Sequence, residues 1–182
     1  MLTACSRFGF VFLCALLSGA CAFWGRADFD RLALLSINPQ TLGERTLEQR
    51  LVISWPGGER SLEAALEISA DRLRLVLMSF GLRVSALEYD GQTLTETKRL
   101  PQAPPGARMV NDLLMIAAPL EVLRAALPKG WSVVESDGRR VFTRDDATQI
   151  TIRYAAATPW EGQVEFEQHD LGYRLTLDSH AF

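Results

Sequence analysis

Residues 47–55 read Leu-Glu-Gln-Arg-Leu-Val-Ile-Ser-Trp, and the period of that stretch is two. Leu47, Leu51, Ile53 and Trp55 share one face; Glu48, Arg50 and Ser54 share the other. Successive side chains of a strand point to opposite sides, so the stretch is a strand with one buried and one wet face. The pattern recurs. In residues 60–69, Leu62, Ala64, Leu66 and Ile68 oppose Ser61, Glu63 and Glu67, and in 72–78 Leu73, Leu75 and Leu77 oppose Arg72 and Arg74. Further on, Ile150, Ile152 and Tyr154 alternate with Thr151 and Arg153, and Tyr173, Leu175 and Leu177 with Arg174 and Thr176. One-sided alternation belongs to antiparallel sheets. The turn signals between these runs are Pro56-Gly57-Gly58, Asp90-Gly91, Asp137-Gly138, Glu161-Gly162 and Leu171-Gly172. The spacing predicts about ten strands in a meander, five before residue 100 and five after residue 130.

Residues 100–130 break the period. Pro101, Pro104 and Pro105 exclude regular pairing, and helical composition follows over 108–117 and 120–127, with Pro119 in the first turn of the second helix. Met109, Leu113, Leu114, Ile116, Leu120, Leu123 and Leu127 carry more apolar surface than a one-sided helix needs. Two readings stay open: the helices plug the concave face of a curved sheet, or they form the lid of a lipid-sized cavity. Filled interiors are the commoner outcome.

The first residues carry an address. Arg7 precedes an apolar run over 8–17, and Ser18-Gly19-Ala20 leads into Cys21. A charged start, a short apolar stretch and small residues before a cleavage point describe a secretory signal peptide over 1–20. Ten residues span only about 15 Å as a helix, half a hydrocarbon core of about 30 Å, so the run is no transmembrane anchor. Residues 17–21 resemble a lipobox with Leu17 displaced by one place, which makes Cys21 the acylated N-terminus and lipid anchor. The alternative is cleavage after Ala22 and a soluble periplasmic protein. Cys5 and Cys14 leave with the signal, so acylation is what gives Cys21 a use. Ala22 rather than Asp after the cysteine favours the outer membrane, periplasmic face, with palmitate-type chains as the attachment. The expected organisation is a signal over 1–20, an anchored linker over 21–42 and a single domain over 43–182.

The formal net charge of −3 and the lack of a polybasic run argue against nucleic acid and against electrostatic attachment to anionic lipid. Catalytic patterns are weak. His169, placed on a strand, and His180 are isolated, and Asp178-Ser179-His180 cannot converge because neighbours on a strand face opposite ways. Two scattered histidines make no metal site, Pro56-Gly57-Gly58 is a hairpin turn rather than a phosphate loop, and Asp145-Asp146 reads as a surface turn. The expectation is a monomeric non-enzyme with no cofactor and no metal.

A lipoprotein signal, two meanders and an intervening Pro-rich loop with apolar helices together resemble the lipoprotein-localisation carrier and receptor superfamily. The resemblance implies a strongly curved, incomplete antiparallel barrel, mainly β, with helices over its concave face and acyl chains held between sheet and helices. Leu113, Leu114, Ile116, Leu120 and Leu123 would then line the cavity or its lid. Residues 73–83 and 87–91 resemble the receptor branch, where a loop bears an exposed apolar residue that touches the membrane; Phe80 is its match. More narrowly, residues 32–35, 123–131 and 171–177 resemble a family of small lipoproteins found near aryl-polyene and fatty-acid-synthase-like genes. The implied function is an outer-membrane lipoprotein that binds acyl chains and helps to localise a lipid or lipoprotein, its partners being an acyl lipid or lipidated protein. The alternative is a structural or assembly lipoprotein with a filled core. Extracting a C16 chain from a membrane costs about 12 kcal/mol, at about 0.8 kcal/mol per CH₂, which only a comparable apolar site offsets.

Overall fold

The computed structural model describes residues 32–99 and 104–181. A 3-10 helix over Pro39–Leu42 leads into β1 (Arg45–Trp55), β2 (Gly58–Ile68), β3 (Leu73–Ser79), β4 (Leu82–Tyr89) and β5 (Leu94–Lys98). Helices α1 (Gly106–Ala117) and α2 (Leu120–Ala126) follow. The second meander is β6 (Trp131–Ser136), β7 (Arg139–Arg144), β8 (Ala147–Tyr154), β9 (Gly162–Gln168) and β10 (Tyr173–Ala181). All ten strands form one sheet in the order β5-β4-β3-β2-β1-β10-β9-β8-β7-β6. Every pairing is antiparallel. The two meanders are therefore sewn together by the first and last strands, with Leu51 opposite Leu177 and Ile53 opposite Leu175.

Register carries the alternation across the whole sheet. One inward row runs Leu62, Leu51, Leu177, Val164, and the next runs Ile53, Leu175, Phe166, Ile152. All eight are buried, while Glu63, Glu67, Arg72, Arg74, Arg153 and Arg174 are exposed. On that outer face Arg72 and Arg74 pair with Glu88, and Arg174 with Glu167. Such exposed pairs contribute little to stability.

The sheet is open and strongly curved. Gly106, at the start of α1, lies against Leu87 of β4, while Arg140 of β7 donates to carbonyls at the end of α1. In a flat sheet β4 and β7 would stand about 34 Å apart, at about 4.8 Å per strand spacing. A twelve-residue helix spans only about 18 Å. The sheet must wrap the helix to touch both its ends, and it does so as the expected incomplete barrel.

Three details depart from the sequence reading. Helix α1 begins two residues earlier than expected, Pro119 caps α2 from outside, and His169 falls just beyond the end of β9. The early start rests on Gly106. A Cβ there would stand 2.6 Å from Leu87 Cδ2 and 2.8 Å from the Glu96 carboxyl carbon. Gly106→Ala should therefore lower the unfolding free energy by about 1–3 kcal/mol through overpacking, measured by urea denaturation. An unchanged midpoint would mean that the helix start is loosely seated.

Candidate functional site

The concavity is occupied by α1. Ten of its twelve residues are buried, among them Leu113, Leu114 and Ile116, and Leu123 of α2 joins them. Leu120 is only half-buried, because it opens α2 beside Pro119 at the rim. The helix acts as a plug. Between it and the seam of β1 and β10 remains a slot of about 20 Å³ lined by Ile53, Pro104, Met109 and Leu175 with Arg108, Asp112 and Tyr173. That is room for about one water, far below the roughly 300 Å³ at which ligand pockets begin. A broader depression of about 350 Å³ lies over the ends of β1, β9 and β10, lined by Trp55, His169 and Arg174 among others; it is shallow and open to solvent.

What distinguishes this plug is the polarity of its fixings. Arg108 and Asp112, one helical turn apart, are both buried on α1 and face Tyr173 of β10. The Tyr173 hydroxyl donates to Asp112 Oδ2 at 2.6 Å and accepts from Arg108 Nε at 2.7 Å. Arg108 Nε also stands 3.1 Å from Asp112 Oδ1, but its hydrogen is committed to the tyrosine. Among the described residues Oδ1 therefore feels the charge without a hydrogen bond, and Arg108 Nη2 has no acceptor. Burial pushes the Asp112 carboxyl above its usual range, against the pull of Arg108 and Tyr173. Burial likewise drives the Tyr173 hydroxyl up, and the neighbouring Asp112 charge adds to the rise.

The far end of α1 is held by Arg140. Its Nη1 donates to the carbonyls of Met115, Ile116 and Ala118 at 2.7, 3.2 and 3.0 Å, satisfying groups that a helix terminus leaves without partners. Its Nε and Nη2 both reach Glu135 Oε2 at 2.6 Å. Tyr154 donates to the Ile116 carbonyl at 2.7 Å, and burial raises its hydroxyl pKa strongly. On a third side, Asn111 binds the backbone of residues 32–35.

The sequence reading placed the apolar lining of α1 and missed every one of these polar fixings. A signal for Arg140 existed: it lies two residues before inward Phe142, and register sets it in the row of Ile152 and Phe166. Arg108, Asn111 and Asp112 lie on the helix face that an amphipathic pattern would assign to solvent.

Phe80 stands apart from this interior. It forms the tip of the β3–β4 hairpin with Gly81, at φ +51° and +72°, and is 101% exposed. Leu82 beside it is 69% exposed. Two positive φ values fit a two-residue turn that normally takes Asn or Gly. A phenylalanine here accepts an unfavourable backbone without any packing return. Cys21 and the signal lie outside the described residues.

A family model matches residues 46–181. The chain belongs to the DUF3261 family. DUF3261 is described as a family of proteins of unknown function, and no curated protein matches this member. The chain is similar in structure to a domain from Vibrio parahaemolyticus described as an outer-membrane lipoprotein-sorting protein. They share 9% identity at a TM-score of 0.46, covering 76% of this chain and 83% of the other. A likeness of that degree carries no functional statement for this DUF3261 chain. The comparisons give no support to the narrower resemblance to lipoproteins of aryl-polyene gene clusters.

Proposed function

We propose that this DUF3261 protein is a lipoprotein of the outer membrane that carries an acyl chain, or the acyl end of a lipoprotein, between α1 and the curved sheet. In this reading it is a binding protein and not an enzyme. The observation that carries the proposal is the manner in which α1 is seated. A helix meant only to fill a core gains most from apolar contacts, yet α1 buries an ion pair with unmet hydrogen-bonding groups at the seam. Buried pairs of that kind stabilise poorly against apolar side chains of equal size, and they suit a contact that opens. Withdrawing α1 would uncover Ile53, Leu51, Leu175 and Leu177, an apolar floor for a chain. The cost of extraction from a membrane is then met by contact with that floor. The test is lipid mass spectrometry of the full-length protein purified from its membrane, with titration by a fluorescent C16 fatty acid. Stoichiometric acyl lipid supports the carrier. The filled concavity favours a second reading, a structural lipoprotein with a solid core, and the absence of both co-purified lipid and saturable binding would establish it.

In the same reading Phe80 dips into the bilayer to which the protein is tethered through Cys21. Immersing one such side chain gives roughly 1.5–3 kcal/mol, enough to orient a tethered domain and too little to anchor it. Phe80→Asn should therefore do two opposite things. It should raise stability by about 0.5–1 kcal/mol, because Asn suits positive φ, and it should weaken association of the unacylated domain with liposomes by roughly ten- to a hundredfold. A loss of melting temperature would show instead that Phe80 contributes to the fold.

A further inference from the structure

The arm over residues 32–37 is bound as a ligand would be. Asn111 of α1 accepts from Leu35 N at 2.8 Å and donates to the carbonyls of Ala33 and Leu32 at 3.0 and 3.4 Å. Tyr89 of β4 donates to the Leu35 carbonyl at 2.5 Å and accepts from Ile37 N at 2.9 Å. Ser36 Oγ donates to the Gly91 carbonyl at 2.9 Å. At Gly91 a Cβ would come within 3.3 Å of the Ile37 carbonyl, so the glycine admits the arm at close quarters. Leu32, Leu35 and Ile37 meanwhile join the apolar core.

We infer that the arm is a strap: it locks α1 in the sheet and fills the apolar groove through which an acyl chain enters. The choice of ligand rests on the carrier reading above; the lock does not. Asparagine is a poor helix former, and the hydrogen bonds of the buried Asn111 side chain go to the arm. With the arm withdrawn, that amide would stay buried with its bonds unmade, a state that proteins avoid. Arm release therefore favours α1 leaving the sheet, and the positions of Leu35 and Ile37 become free for another apolar chain. Linkage makes the effect mutual: whatever occupies the groove loosens the arm.

The test uses the full-length protein and two variants that remove hydrogen bonds to the arm, Asn111→Ala and the milder Tyr89→Phe. Val164→Ala in β9 removes none of them, and its loss of stability is matched to theirs with denaturant. Hydrogen exchange of α1 amides should quicken roughly thirtyfold in Tyr89→Phe relative to the matched control, as expected for the loss of two buried hydrogen bonds. Affinity for the fluorescent C16 fatty acid should rise by a similar factor, because the competent state becomes more populated. Equal exchange in Tyr89→Phe and Val164→Ala would overturn the strap. Faster exchange with no fatty-acid binding in any variant would keep the lock but overturn the groove as an acyl entrance, and with it the carrier reading.

Discussion

Replacing Arg108 by methionine should lower the unfolding free energy by about 3–5 kcal/mol, because Asp112 is left as an uncompensated charge in a buried site. Asp112→Leu alone should do comparable damage from the other side, stranding the guanidinium. The pair Arg108→Met/Asp112→Leu is expected to reverse both losses and to leave the domain as stable as the parent or up to about 4 kcal/mol more so. The reason is geometric. In the parent, Tyr173 occupies both partners, and among the described residues Arg108 Nη2 and Asp112 Oδ1 lack hydrogen-bond partners, so the desolvation of two charges is only partly offset. The pH dependence has a sign that follows. Burial raises the Asp112 carboxyl above its unfolded value, so its contribution to stability is fully present below the unfolded pKa of about 3.9 and is lost as pH rises through the folded value. The double variant should lack that loss. Urea denaturation of the four proteins at several pH values decides it, and a double variant as weak as the single ones would show the ion pair to be a net stabiliser. If α1 moves in function, the stabilised double variant should also carry less lipid than the parent.

The second large effect is expected at the opposite end of the helix. Arg140→Met would orphan the carbonyls of Met115 and Ala118, leave the Ile116 carbonyl to Tyr154 alone and release Glu135. Each buried group left without a partner costs about 1–3 kcal/mol, so a total near 3–5 kcal/mol is expected, or about 10 °C in Tm for a domain of this size. Arg140→Lys keeps the charge but not the fork of donors, and should recover only part of the loss. Tyr154→Phe, which removes a single bond to Ile116, should cost about 1 kcal/mol. Thermal denaturation measures all three. A change under 1 kcal/mol in Arg140→Met would mean that water readily replaces the guanidinium.

The sheet was legible because its physics is local. Alternation in β1, β2, β3, β8 and β10 names the buried face residue by residue, and Gly-containing turns mark the ends. The apolar helices were legible for the same reason. The β1–β10 seam was not, since pairing between residues 47 and 181 leaves no trace in either segment alone. The polar fixings of α1 were hidden by a different mechanism. Hydropathy assigns Arg108, Asn111, Asp112 and Arg140 to water, and only tertiary structure supplies the partners that let them be buried. At Phe80 a bulky residue in a turn was visible in the sequence, but its full exposure required the hairpin geometry.

The seam also governs how the chain can reach this state. Each meander is built from neighbours in sequence, and its hairpins can form as soon as their residues are available. Their union brings Leu47 opposite Ala181, a closure across nearly the whole domain that makes folding slow. Until it happens, β1 presents a long strand edge that invites pairing with other chains. During synthesis the first meander must therefore wait, half-finished and prone to aggregation, until the last strand has emerged. Loss of β10 would reopen that edge for good, so a chain cut short before residue 173 should aggregate rather than persist as a smaller domain.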